Sequence, residues 1–158
     1  MFEERVVKKK YKRKIKRALD FKKPTHLVLK LKDNLPNLFC PTDKKLREGL
    51  YKTAEKYSIQ IYDLVFNHTH VHLLLKIPSR EAYVAFIREF TSRLVGYWSK
   101  KTGIKLRKIF ASRPFTRIIE WGRDLLGVKK YFKKNEQESG VTQLKKTSAN
   151  NKRQLEFF

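Results

Sequence analysis

The sequence predicts an α+β fold, an antiparallel sheet of four strands carrying helices. Apolar positions switch between a period of two and a period near 3.6, in the order strand, helix, strand, strand, helix, strand, helix. The two middle strands are joined by a short connection, which implies an antiparallel pair. With 158 residues and 41% hydrophobic content, the chain buries one core, and a second independent domain would be crowded.

The first strand is expected at Thr25 to Lys32 (THLVLKLK), bounded by Pro24 and by the turn-like Asp33-Asn34-Leu35-Pro36. After Pro41, Thr42 or Asp43 can cap a helix whose apolar positions Leu46, Leu50, Ala54 and Tyr57 recur at helical spacing. A strand from about Ile59 to Phe66, a turn near Asn67 and a strand from His70 to Ile77 follow. The second helix runs from about Arg80 to Lys101, with Tyr83, Ile87, Phe90, Leu94 and Trp98 as its buried stripe and Thr102-Gly103 ending it. Phe115 to Ile119 is a short strand, and Trp121 to about Glu138 a final helix that stops at Gly140. In that helix the predicted stripe is Trp121, Leu125, Val128 and Phe132, with Tyr131 and Asn135 at its margin, facing a cleft. The order β-α-β-β-α-β plus a C-terminal helix is the split βαβ pattern of a ferredoxin-like sheet.

Around this domain, placed at residues 24–140, the composition changes. Residues 1–23 form a basic arm: from Arg5 to Arg17 there are nine basic residues and no acidic one. Such an arm either orders on phosphate or serves as a solubilising tail. Residues 141–158 are polar and mixed, a tail expected to be flexible. The formal charge of +23, from 38 Lys and Arg against 15 Asp and Glu, exceeds what solubility requires and points to a polyanion, with nucleic acid the leading partner. The single Cys40 excludes an intrachain disulfide and a thiolate metal site. No apolar leader and no run of 18 apolar residues is present, so a cytoplasmic protein without a membrane partner is expected.

Three of the four histidines, His68, His70 and His72, fall within five residues, and on a strand they would share one face. Paired imidazoles on a rigid strand suit a divalent metal, although a His-x-His is also what an ordinary polar face shows. Two imidazoles need a further donor, and oxygen donors favour Mg²⁺ or Mn²⁺ over structural Zn²⁺. The final helix offers Tyr131 and Asn135, stacked four apart, with Asp124 and Glu138 as alternative ligands. A tyrosine can attack as a nucleophile, yet a phenol of ordinary pKa about 10 needs activation. A metal with Lys or Arg beside it supplies the charge stabilisation for in-line phosphoryl transfer. Gly127, one turn before Tyr131, costs about 1 kcal/mol relative to Ala and either admits a neighbouring backbone or permits a kink.

These residues carry a resemblance. The segment His70-Val71-His72-Leu73-Leu74-Leu75 resembles the His-hydrophobic-His signature of the single-tyrosine HUH transposases, including the REP-associated tyrosine transposases. The run Arg113-Pro114-Phe115-Thr116-Arg117, followed by a helix with Tyr131 and Asn135, is similar to that family's closing strand and catalytic-tyrosine helix. The resemblance implies a ferredoxin-like fold and cleavage of single-stranded or hairpin DNA. It also implies Mg²⁺ or Mn²⁺ on His70, His72 and Asn135, and attack by Tyr131 to leave a 5′-phosphotyrosine and a free 3′-OH. Some members have Gln where this chain has Asn135. Thr69 between His68 and His70 departs from the signature, which leaves His68 as a spare ligand, a DNA contact or a turn residue. His26 matches a histidine frequent in the family and is given no catalytic role.

DNA contacts are expected from Lys8, Lys9, Lys10, Lys12, Arg13 and Lys14 in the arm, and from Arg113 and Arg117 nearer the chemistry. Relatives can exchange tyrosine helices between subunits, so a homodimer hinged at Trp121-Gly122 is consistent with the resemblance. A relaxase or replication initiator would use the same chemistry in a larger chain. The alternative of a different class is a non-catalytic or domesticated nucleic-acid-binding protein of the same fold.

Overall fold

The computed structural model describes residues 17–36 and 38–139. Its elements in chain order are β1 (Thr25–Lys30), α1 (Lys44–Lys56), β2 (Gln60–Asn67), β3 (His70–Lys76), α2 (Arg80–Thr102), β4 (Phe115–Ile118) and α3 (Arg123–Glu138). The sheet order is β2-β3-β1-β4, and every neighbouring pair is antiparallel. Each βαβ crossover thus spans a strand lying between its two ends, which makes the sheet ferredoxin-like.

Helix ends follow local chemistry. Asp43 caps α1 by accepting the Leu46 N–H at 3.1 Å, and Ser79 caps α2 by accepting the Ala82 N–H at the same distance, contacts worth about 1 kcal/mol each. The second Asp43 oxygen accepts the Tyr97 hydroxyl, tying the start of α1 to α2. Gly103 ends α2 in the left-handed region, at φ 70°.

Alternation along the strands gives the sheet two unlike faces. Leu27, Leu29, Val71, Leu73 and Leu75 point to the first face, all at 1% exposure or less, and α1 and α2 cover them with Leu50, Phe86, Phe90 and Trp98. His26, His72 and Leu74 point to the second face. There α3 packs Val128 and Phe132 over Val65, Leu74 and Ile119. No helix among the described residues is long and apolar enough to cross a membrane.

Several boundaries differ from the sequence expectation for identifiable reasons. β1 stops at Lys30, and Leu31 makes only an isolated bridge to Phe110. Phe86, absent from the predicted stripe of α2, is fully buried, because the spacing Phe86-Phe90-Leu94-Trp98 follows the helix face more closely than Tyr83 and Ile87 do. Trp121 is 55% exposed and lies outside α3, which starts only after Gly122, whose φ of 90° no helix can include. β4 likewise ends one residue before Ile119.

Candidate active site

The second face of the sheet is only partly roofed. α3 lies over β2 and β3, so the part of the face formed by β1 and β4 is left as a cleft of about 670 Å³. Its floor is His26, Phe115 and Arg117, and its wall is Arg123, Asp124, Gly127, Val128 and Tyr131.

His70 and His72 stand side by side on β3, their ring centroids 4.7 Å apart. The expected third member of the cluster does not join them: β2 ends at Asn67, His68 is exposed in the two-residue connection, and its carbonyl accepts the Phe39 N–H. His68 is therefore a turn residue. The strand register instead brings in two residues to which the sequence reading gave no role in the site. His26 on β1 sits beside His72, with its Nε2 3.1 Å from His72 Nδ1. Asn67, paired with His70 across β2 and β3, places its amide nitrogen 3.0 Å from His70 Nε2 and 3.4 Å from Asn135 Oδ1. Neither is visible locally, because the pattern of one strand does not state its register against another.

These hydrogen bonds select the form of each ring. The Asn67 amide nitrogen can only donate, so His70 Nε2 accepts, and His70 Nδ1 carries the proton toward Thr69 Oγ1 at 3.0 Å. His72 Nε2 is buried and has no hydrogen-bond partner. If it carried the proton, a buried N–H would be orphaned, at a cost of about 1–3 kcal/mol. With the proton on Nδ1, His72 donates to His26 and keeps an Nε2 lone pair, matching His70. Electrostatics agree: burial, then the neighbouring imidazoles of His70 and His26, pushes the His72 pKa down to about 3. Burial, then the Arg117 charge, pushes His26 down to about 4, and burial, then Lys30, lowers His70. All three rings are neutral near pH 7.

Tyr131 and Asn135 arrive together from α3. Asn135 is 8% exposed and its amide donates to the Tyr131 carbonyl at 2.9 Å, while Tyr131 is 46% exposed with its ring centroid 5.4 Å from that of His72. The site thus gathers two imidazole lone pairs, an amide oxygen and an accessible phenol from β3 and α3. Among the described residues no three His, Cys, Asp or Glu side chains form a metal cluster. The residues nevertheless fit a hard divalent cation: His72 Nε2 is orphaned, and His70 Nε2 and Asn135 Oδ1 converge on one donor, the Asn67 amide.

The comparisons carry the same direction. The family model for IS200-like transposases matches residues 21–121. The chain belongs to the IS200-like transposase family. A REP-associated tyrosine transposase bound to a REP hairpin shares the fold at TM-score 0.60 and 16% identity, over 82% of this chain and 75% of that one. A candidate transposase from Deinococcus radiodurans R1 aligns at TM-score 0.49 and 16% identity, over 78% of this chain and 98% of that one. No curated protein matches. The family match includes both site histidines of β3 and ends at Trp121, just before α3.

Other expected residues lie elsewhere or act differently. Asp124 sits about 16 Å along the helix axis from Asn135 at 1.5 Å per residue, accepts the Glu120 N–H and pairs with Arg117 at 2.6 Å. The Glu120 N–H, and after it the Arg117 guanidinium, hold its carboxyl below the usual range. Glu138 is exposed and pairs with Lys134. Neither joins the imidazoles as a ligand. At Gly127 an added Cβ would meet nothing within 4 Å, so no backbone approach explains this glycine, and α3 runs through it. Arg117 lies on the cleft floor and Arg113 just before β4, whereas Lys8, Lys9, Lys10, Lys12, Arg13 and Lys14 lie outside the described residues.

Proposed function

We propose that this transposase-family chain cleaves and rejoins single-stranded DNA through Tyr131. The observation that carries the reading is the accessible Tyr131 phenol beside two neutral imidazoles with Nε2 lone pairs, in a cleft floored by Arg117. The Tyr131 hydroxyl gives up its proton to water as its oxygen attacks the scissile phosphorus, the bond from phosphorus to the 3′-oxygen breaks, and the leaving oxygen takes up a proton from water as a free 3′-OH. The DNA 5′ end stays on the enzyme as a phosphotyrosine, and attack by another 3′-OH reverses the step and joins strands. His70, His72 and Asn135 would hold Mg²⁺ or Mn²⁺, which when bound supplies polarisation of the phosphoryl oxygens.

Each remaining side chain has a task in this reading. In the metal-free site the Asn67 amide takes the single lone pair of His70 Nε2, which it would yield to the cation, and His26 holds the ring of His72. Arg117 is readily freed for phosphate, because its pair with Asp124 is exposed to solvent and screened by it. The basic arm of residues 1–23 adds phosphate affinity to the catalytic domain of residues 24–140.

Labelled hairpin-flanked single-stranded DNA incubated with Mn²⁺ is expected to give a denaturation-resistant protein adduct. The adduct disappears with Tyr131→Phe and with chelator. Salt-sensitive binding without any adduct, over a varied substrate panel, would instead make the chain a non-catalytic binding module. Full cleavage by His70→Ala would overturn the metal assignment.

A further inference from the structure

Three depressions adjoin around the β4 edge, each sharing a residue with the next. The active-site cleft and a groove of about 350 Å³ share Phe115, and that groove shares Arg17 with a third depression, also about 350 Å³, at the start of α2. The third depression is lined by Arg17, Arg80, Arg88 and Arg113 together with Val84, and among the described residues no acidic one lines it or the groove. None of these four arginines forms an ion pair among the described residues. Three of them are tied together by backbone contacts: Arg80 donates to the Arg17 carbonyl at 2.9 Å, and Arg17 to the Arg113 carbonyl at 3.4 Å; Arg88 lines the same depression.

Phe115 marks the crossing point. It lies on the second face of the sheet, opposite Val28, yet is 54% exposed because α3 packs over Val65 and Leu74 and leaves this end of β4 uncovered. A phenyl ring left half in water forgoes part of the stabilisation that burial would bring. A nucleobase stacked on the ring recovers it, whatever the base. Beyond this crossing, four unpaired guanidiniums gathered without a carboxylate repel one another unless an anion lies between them. Aromatic ring and arginine cluster in series are the chemistry of a polynucleotide track, a ring for a base and cations for the phosphates that follow.

We propose that a single DNA strand leaving the reacting phosphate crosses the β4 edge, stacks one base on Phe115 and lays its backbone on the cluster of Arg17, Arg80, Arg88 and Arg113. The track rests on the strand-cleaving reading of the same site, and it adds where the strand goes. Its contacts would be sequence-independent, since stacking and phosphate pairing carry no base code.

Fluorescence anisotropy with labelled oligo-dT of graded length tests this on the full chain carrying Tyr131→Phe, so that binding is separated from cleavage. Affinity is expected to rise with length until the track is filled. Phe115→Ala is expected to weaken binding about 5- to 100-fold, with Phe115→Tyr restoring it. Arg88→Ala with Arg113→Ala is expected to reduce the slope of log affinity against log salt by about 1.4 for long oligonucleotides and to leave the shortest unaffected. Unchanged affinity in Phe115→Ala, or an equal loss at every length in the double arginine variant, would overturn the track. So would polyglutamate competing as well as DNA of equal charge. Adduct formation by the wild-type chain reports on the catalytic reading separately, and its failure would leave the length dependence measurable.

Discussion

The two faces of this sheet are cut from the same strands and obey opposite rules. β1 and β3 send Leu27, Leu29, Val71, Leu73 and Leu75 to the first face, where two helices remove them almost entirely from water. One residue out of phase, the same strands send His26, His70 and His72 to the second face, where one helix covers half and a cleft remains. The first face is chosen for burial, so its residues are interchangeable in kind though not in volume. Among the described residues each side keeps a buried nitrogen without a partner, Trp98 Nε1 in the first-face core and His72 Nε2 on the second, but only the second is an imidazole able to take a metal. Rigidity built on one face is what allows the other to hold its donors at fixed separations.

The largest effect expected from this contrast is on the first face. Leu73→Ala, at a residue fully removed from water, should lower unfolding free energy by about 2–5 kcal/mol in urea titration. His72→Phe, its neighbour one residue away, should lose divalent-ion binding while costing much less in the same titration. Similar losses of stability in both variants would erase the distinction between the faces.

How far such a division can be read from the chain depends on which interactions are local. Alternation in Thr25 to Lys32 and His70 to Ile77, and the four-residue spacing from Leu46 through Leu50 to Ala54, identify strands and a helix because periodicity is a property of one segment. His70 and His72 are readable for the same reason. His26 and Asn67 are not, since their places beside His72 and His70 depend on pairings across 46 residues and across a turn. Helix angle placed Asp124 and Glu138 near the face of Tyr131 but could not say which stretch of α3 overlies the histidines. Asn135 does, and it is buried there. Trp121 misled because a stripe can be extended by one turn on paper past a glycine whose φ of 90° stops the helix.

His26 then offers an intermediate effect, confined to the second face. Removing a partner that orients a metal-binding ring usually lowers metal affinity about 10- to 100-fold. His26→Leu should do so for Mn²⁺, read by electron paramagnetic resonance of the unbound ion. In the metal-free protein, ¹⁵N shifts should report the proton of wild-type His72 on Nδ1, donated to His26. A His72 proton on Nε2 in the wild type, or unchanged Mn²⁺ affinity in the variant, would make His26 a packing residue only.

The smallest effect is the most discriminating, because stability and function should move in opposite directions. Gly127 faces the cleft from the middle of α3, and a methyl group there would touch no protein atom. Alanine at a helix-interior position is favoured over glycine by about 1 kcal/mol, so Gly127→Ala should raise the unfolding midpoint. On the first face a mutation that stabilises the fold has no site to obstruct. Here the methyl group projects into the space one turn from Tyr131, where a strand must lie for the phenol to reach its phosphorus. Gly127→Ala is therefore expected to gain stability and to form the covalent adduct severalfold more slowly. A gain in both would mean that the open wall of the cleft is not used by DNA. A loss in both would mean that α3 needs the freedom of a glycine at that turn.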